Sequence, residues 1–476
     1  MLKLLAPVYL TCAFAALPAA SQEETTLRFK GGQSFYEFGN IVKGVDLSTD
    51  TLDNNWVQRF GGTFDLEATR GEHLGLYFGA GSIFWHAIPA KEGNSSSTVF
   101  YGDAILTKAF TQFSFGDKDA SGVTGKLGFF PVKYSNSKNL GEYLFRTGTY
   151  PNYIVTGNGY TSVNTSSATV LGTQWTHRFG SGFSHDLFLT SERQTYPLHD
   201  FSLSYLAQYK GGFLKAGVGV QLERLIPVSP SLATPGNEKN TVFEYQGRKY
   251  ANNLEYYTLL RVGATFDGRT ADAARWENDR LLVDSLQKFW NANPSKRPAV
   301  EKITFKGIKP VAMVSLDFKA LFGEGLFRND EMVLYSEAVL MGVANQPIYY
   351  EERMDRLAVM AGLNLPTFGL LDQFNLEAEY WPSKYVNGYR TAREGNLPLP
   401  DYSYDQINGY DPADRKGDDL KWSVFLNRKI MNGFNVQAQV ASDHLRGRAW
   451  TRVVSENSIL IDSPHWYYLL KLQASL

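Results

Sequence analysis

Two places in the chain set a histidine beside an aspartate: His199 with Asp200, and Asp443 with His444. An imidazole oriented by a carboxylate is the general-base part of a hydrolytic triad. Adjacent residues of a strand point to opposite faces, however, so neither pair forms a working dyad by itself, and no third member is apparent. The stretch "SGVTGKLG" (121 to 128) holds a Gly-Lys pair but lacks the Ser or Thr that follows the lysine of a phosphate-binding loop. The seven histidines show no His-x-x-x-His or Glu-x-x-His spacing, so no metal set is read. The expectation is a protein with no catalytic, cofactor-binding or metal-binding residues, and not an enzyme.

A different arrangement stands at "SKNLGEYLFRTGTYP" (137 to 151). Asn139 reads as a helix cap with Glu142 three residues on, while Gly148 and Pro151 stop any helix within a few turns. Glu142 and Arg146, at i and i+4, would share one side of that turn, with Leu140 and Leu144 to lean on a wall. The elements around it are strands, so the question is what such a scrap of helix does among them.

Net charge is -1, and the 20% of charged residues are spread along the chain. There is no basic patch or acidic tail, so no nucleic-acid partner is expected. Residues 1 to 22 carry Lys3, an apolar run from Leu4, and small residues Ala19, Ala20 and Ser21, the shape of a secretory signal peptide. We expect residues 1-21 to be cleaved and 22-476 to form a single domain. Cys12, the chain's one cysteine, lies in the signal, so the exported protein has no disulfide and no thiolate site.

No run of 18 apolar residues follows the signal, which excludes a helical membrane protein. The chain nevertheless holds 31 Phe, 27 Tyr, 9 Trp and 43 Gly, a composition of strong β-propensity with glycine-rich turns. Period-two segments are explicit. Phe60, Phe64, Leu66 and Ala68 oppose Arg59, Thr63, Asp65, Glu67 and Thr69; Phe374, Leu376, Ala378 and Tyr380 oppose Asn375, Glu377 and Glu379. A soluble sandwich also alternates, so placement of aromatics matters more. They recur near segment ends, at Trp56, Trp85, Tyr256, Tyr380, Trp381, Trp422 and Trp466. The last segment alternates from Trp466 to Leu476.

With these features the chain resembles the porin-like outer-membrane β-barrels of Gram-negative bacteria. The resemblance is architectural and spans the mature chain. It departs in ending on Leu476 where the usual final residue is Phe. It implies an all-β fold: an antiparallel transmembrane β-barrel with short periplasmic turns and long outer loops, located in the outer membrane. It further implies a terminal strand read by the barrel-insertion machinery, contact with outer-membrane lipid, passive diffusion of small hydrophilic solutes, and room for a homo-oligomer.

Short turns suit 69 to 73, 116 to 122, 179 to 183, 210 to 213, 320 to 325, 367 to 373 and 431 to 434, and long loops suit 135-167, 225 to 239, 268-307, 383-417 and 446 to 463. Taking 241 to 249 as one further strand with a turn at "YANN" gives about 18 strands; taking it as an outward hairpin gives 16. In 268-307, Thr270 reads as the cap of a helix with Leu282, Leu286 and Phe289 on one stripe, either a plug or a helix on the rim. The expected lumen wall mixes Arg59, Arg261, Lys319, Lys421 and Lys471 with Asp65, Glu67, Asp317, Glu377 and Glu379, and a wall of both signs favours hydrophilic solutes over strong ion selection. Any one of these alone reads as an ordinary solvated or paired charge. In porins like these the third loop often folds inward, carries a short helix and narrows the pore, which puts Glu142, Tyr143 and Arg146 at the expected constriction. The alternative function is a structural or adhesive barrel with a plugged lumen and ligand-binding outer loops.

Overall fold

The computed structural model describes residues 25–43, 45–46, 55–88, 99–117, 121–146, 168–192, 199–228, 241–266, 268–302, 306–321, 327, 331–343, 352–380, 420–442, 458–459 and 466–476. The signal segment and most of loops 225 to 239, 383-417 and 446 to 463 lie outside these residues. Sixteen strands close into one antiparallel barrel. In chain order they are β1 (Thr25–Lys43), β2 (Asn55–Arg70), β3 (Leu74–Ile88), β4 (Val99–Asp117), β5 (Ser121–Val132), β6 (Ala168–Arg178), β7 (Phe183–Ser191) and β8 (Phe201–Gly211). The second half is β9 (Leu214–Ile226), β10 (Gly307–Asp317), β11 (Val333–Leu340), β12 (Leu357–Asn364), β13 (Gln373–Tyr380), β14 (Leu420–Met431), β15 (Phe434–Ser442) and β16 (Trp466–Ser475). Each strand pairs with its sequence neighbours, and β16 returns to β1 with Tyr36 opposite Leu472 and Phe38 opposite Leu470. Closure leaves no unpaired sheet edge, which matters most where no water is at hand to satisfy backbone groups.

The two faces of the sheet invert the order of a soluble protein. Phe60 and Phe64 on β2 are each 41% exposed, whereas Arg59 and Glu67 on the same strand are 3% and 8% exposed. The same holds around the wall: Leu76, Phe115, Leu127, Trp175, Tyr209, Val218 and Val314 stand exposed, while Glu337, Glu377 and Lys421 are buried. Alternation with apolar side chains outward and charged ones inward is the pattern of a wall with lipid outside and a polar interior.

The count is sixteen, not eighteen, and the reason is local. Segment 241 to 249 does not cross the wall. Thr241–Tyr245 pairs with Arg248–Ala251 and with Val300–Lys302 in a separate three-stranded sheet. "YANN" leads not into another barrel strand but into a helix, α2 (Leu254–Phe266), followed by α3 (Thr270–Ala292). Aromatic and β-branched residues in "LEYYTLLRVGATF" give it the look of a strand. Its buried positions, Tyr256, Tyr257, Leu260 and Ala264, instead follow helical spacing, and Asn253 Oδ1 accepts the Glu255 N–H at its start. Tyr256 therefore belongs to a helix core rather than to an interfacial girdle.

This insert in the fifth long loop has its own core, in which Phe243, Tyr257, Trp276, Val283 and Trp290 pack together and, among the described residues, no barrel residue takes part. Thr270 is the first helical residue of α3, not its cap; Arg269 holds that place. The buried stripe runs through Trp276, Asp279, Val283 and Trp290, with Leu282 and Leu286 at its edge and Phe289 exposed. Asp279 receives both Arg248 guanidinium N–H groups at 3.0 and 2.7 Å, tying the helix to the sheet. Asp279→Asn is expected to cost the insert about 1–2 kcal/mol, since a partly exposed charge-assisted pair is worth that order. Thermal melting followed by the fluorescence of Trp276 and Trp290, beside an unchanged barrel band in heat-modifiable electrophoresis, would check it.

Candidate functional site

The wall is not of even height. β4 pairs with β3 as far as Val99, but β5 pairs with β4 only from Ala109 to Asp117. The chain thus leaves the wall at Val132 before the rim and enters the barrel as the third long loop. Its seat is apolar: Leu140, Tyr143, Leu144 and Phe145 pack with Phe188 of β7, Leu206 of β8, Val311 of β10, Tyr335 of β11 and Met360 of β12. Phe145 meets Phe188 edge to face at 4.9 Å.

Irregular backbone inside a barrel has no neighbouring strand to accept its N–H groups, and each one left bare costs free energy. Here carboxylates from the opposite wall accept them. Six consecutive N–H groups, from Lys138 to Tyr143, are taken by three side chains. Glu377 accepts from Lys138, Asn139 at 2.7 Å and Leu140 at 2.8 Å; Glu379 accepts from Gly141 at 3.2 Å; Glu337 accepts from Glu142 at 2.7 Å and Tyr143 at 2.9 Å. β13, which carries Glu377 and Glu379, is eight strands from β5 in a ring of sixteen, so the loop crosses the barrel interior.

Further bonds complete the anchor. Tyr134 Oη donates to Glu337 at 2.6 Å and accepts the Leu144 N–H at 2.9 Å. Burial, then the Glu337 carboxylate, holds that phenol well above its ordinary pKa, so it remains a donor. Lys309 Nζ donates to the Tyr143 carbonyl at 2.7 Å, Lys215 Nζ to the Tyr134 carbonyl at 2.7 Å, and Asn139 Nδ2 to Ser423 Oγ at 2.8 Å. The helix, α1, is a single turn over Tyr143–Arg146. Asn139 does not cap it, because Gly141 and Glu142 intervene with φ of 68° and 56°. Gly141 itself takes the left-handed region that favours glycine, and a Cβ there would also meet the end of the Met360 side chain.

Away from the loop, the inward face of β1 to β4 and β16 carries paired charges. At the seam Glu37 lies in register between Arg59 and Lys471, with Arg59 Nη2 at 2.6 Å from Glu37 and the Lys471 ammonium 4.7 Å over the Phe35 ring. Lys108 pairs with Asp65 at 2.9 Å, and Lys30 with Glu67 at 2.6 Å. Apolar inward residues gather on β5 to β12 around the loop, so the barrel has one packed side and one polar side.

No protein-family model and no curated protein matches the chain. Among solved structures it is similar to variants of the porin of Rhodopseudomonas blastica. One shares 9% identity at a TM-score of 0.39 and another 10% at 0.38; each alignment covers 95% of this chain and 100% of that one. Sixteen antiparallel strands close on themselves, with tight turns at one end such as those between Arg70 and Leu74, Arg178 and Phe183, and Met431 and Phe434. The architecture is a closed, sixteen-stranded antiparallel β-barrel.

Within this barrel the expected wall residues fall into three groups. Arg59, Asp65, Glu67, Glu377, Glu379, Lys421 and Lys471 stand on the face opposite the exposed apolar side chains, with Glu379 directly across from Lys421. Asp317 ends β10 and Lys319 sits on the turn that follows, 3.3 Å away, so Lys319 is not on a strand. Arg261 lies on α2 of the insert, where it meets Glu277 at 3.2 Å, and takes no part in the wall. At the loop, Glu142 is buried against Lys133 at 2.8 Å and Tyr143 is buried in the apolar seat, while the Arg146 side chain lies outside the described residues.

Sequence reasoning did not single out Glu337, Lys309 or Glu37. A usable signal existed for Glu337: it is the one charge on the inward face of a strand whose other inward residues are Val333, Tyr335 and Val339. A charge at such a place calls for partners supplied from elsewhere. Of the His-Asp pairs, Asp200 accepts the Val228 N–H at 3.1 Å, and burial raises its carboxyl pKa; Asp443 and His444 lie outside the described residues. "SGVTGKLG" is the first part of β5.

Proposed function

We propose that this protein is an outer-membrane porin, in which small hydrophilic solutes diffuse passively along the polar side of a lumen that the third loop narrows from the other side. The observation that carries the reading is the loop itself: it is clamped across the interior by Glu337, Glu377 and Glu379, while β1 to β4 and β16 keep inward charges of both signs. A wall of paired opposite charges holds water and discriminates weakly between ions. The outward apolar face supports contact with outer-membrane lipid, and β16 is the segment offered to the insertion machinery. Homo-oligomerisation is compatible with this barrel.

Reconstituted in planar bilayers, the purified protein should show stepwise conductance; a folded barrel that stays silent would overturn the reading. If Glu142, Tyr143 and Arg146 form the constriction, the double variant Glu142→Ala/Arg146→Ala shifts the cation-to-anion permeability ratio. An unchanged ratio in a conducting barrel would remove those two from the pore lining.

A second reading rests on the insert, whose self-contained core suits a surface module. In it the barrel is a structural or adhesive anchor with a plugged lumen. Deleting 241–302 separates the two: loss of surface binding with unchanged conductance favours adhesion, and a rise in conductance marks the insert as a plug.

A further inference from the structure

A cavity of about 400 Å³ lies between the third loop and the short-turn rim of β8 to β12. That is the size range of small-molecule sites. Its lining includes Lys133 and Lys138 from the loop, Lys210 from β8 and Lys215 from β9, against the single acid Asp317. Two of these acid-base relations are already closed. Asp317 is met by Lys319 at 3.3 Å, and Lys133 is balanced by Glu142 at 2.8 Å. Glu337 and Glu377 are engaged by the loop's N–H groups.

Lys210 and Lys215 are the informative pair. They are direct cross-strand partners, and both point inward: Lys210 shares its face with Gln208, and both Gln208 and Lys215 reach the Tyr134 carbonyl. Like charges directly opposite on a sheet repel. The bond from Lys215 goes to a neutral carbonyl, and Glu142, already paired with Lys133, offsets only part of the repulsion from Lys210. An anion seated between the two would turn repulsion into attraction, and Lys138 would face it from the loop. Ser315, opposite Lys215 in register and also in the lining, adds a neutral hydroxyl.

We propose that this cavity binds a small, multiply charged oxyanion of the phosphate type. Several ammonium groups around one space match an ion that presents three or four charged oxygens better than they match a monovalent halide, and lysine binds phosphate as a point charge. The site does not depend on whether the barrel conducts.

The test uses the full-length barrel folded in detergent micelles, titrated with inorganic phosphate and followed by calorimetry. The expected result is saturable binding that sulfate competes for and chloride at the same ionic strength does not. Lys210→Gln and, separately, Lys138→Gln should each weaken it about tenfold, the scale of one charge-assisted contact. Lys249→Gln, which changes a lysine of the insert paired with Glu301, should leave it unchanged. Lys210 is exposed, so its variant is expected to fold, and the heat-modifiable band verifies this. Absence of saturable binding, equal competition by chloride, or binding that survives both cavity variants would overturn the proposal. A conducting barrel that ignores phosphate removes this site alone; a silent barrel that binds phosphate keeps the site and removes the porin reading.

Discussion

Glu377→Ala is expected to free the middle of the third loop, with amide exchange at Lys138, Asn139 and Leu140 accelerated more than about a hundredfold. One carboxylate accepts all three of those N–H groups and also the Tyr335 hydroxyl at 2.8 Å. Each buried donor left without an acceptor costs about 1–3 kcal/mol, so losing the acceptor of three N–H groups costs at least about 3 kcal/mol, or two decades in the opening equilibrium. Glu377→Gln keeps one acceptor oxygen and should fall between wild type and alanine. In bilayers the alanine variant should conduct more than wild type, because the released loop no longer fills its side of the lumen. Unchanged exchange in Glu377→Ala would show that the apolar seat around Leu144 and Phe145 holds the loop unaided.

Phe64→Arg is expected to destabilise the barrel in lipid vesicles by about 2–4 kcal/mol, read as a lower urea midpoint, while Phe64→Leu should cost less than about 1.5 kcal/mol. Phe64 is on the outward face of β2, near Phe60 and 6.3 Å from Phe78 across the strand pair. A guanidinium there would enter the hydrocarbon without a partner. An arginine tolerated at that position would mean that lipid does not cover this face, and the membrane assignment would fall with it.

Both effects trace to the same barrel, but they differ in how far the sequence announced them. Phe64 opposite Asp65 is a local fact: side chains alternate on a strand with period two, so each segment displays its two faces without reference to any other. The seven short turns are equally local, and all seven fall between consecutive barrel strands. Residues 254 to 266 depart from the strand reading for a local reason too, because their aromatic and β-branched residues suit a strand while their burial follows a helix.

The clamp on the third loop was of another kind. "NLGEYLFR" showed a break in the strand pattern, and its position after the fifth strand was readable. Its turn is not the capped helix the spacing predicts, since Gly141 and Glu142 take left-handed conformations in which their N–H groups reach acceptors across the barrel. Those acceptors, Glu379 and Glu337, are 238 and 195 residues away along the chain.

Local patterning suffices for the all-β class, the inward and outward faces, the positions of the turns and the place where the strand pattern yields to an inward loop. Periodicity and turn chemistry act over a few residues, which is why a linear reading reaches them. Long-range closure of the chain sets the ring at sixteen strands, gives 241–302 its own core, and brings three carboxylates onto six successive N–H groups of the loop. Those outcomes depend on which distant segments meet when the barrel closes, and a partner for a buried charge or a bare N–H is chosen by that closure rather than by any neighbour in the chain.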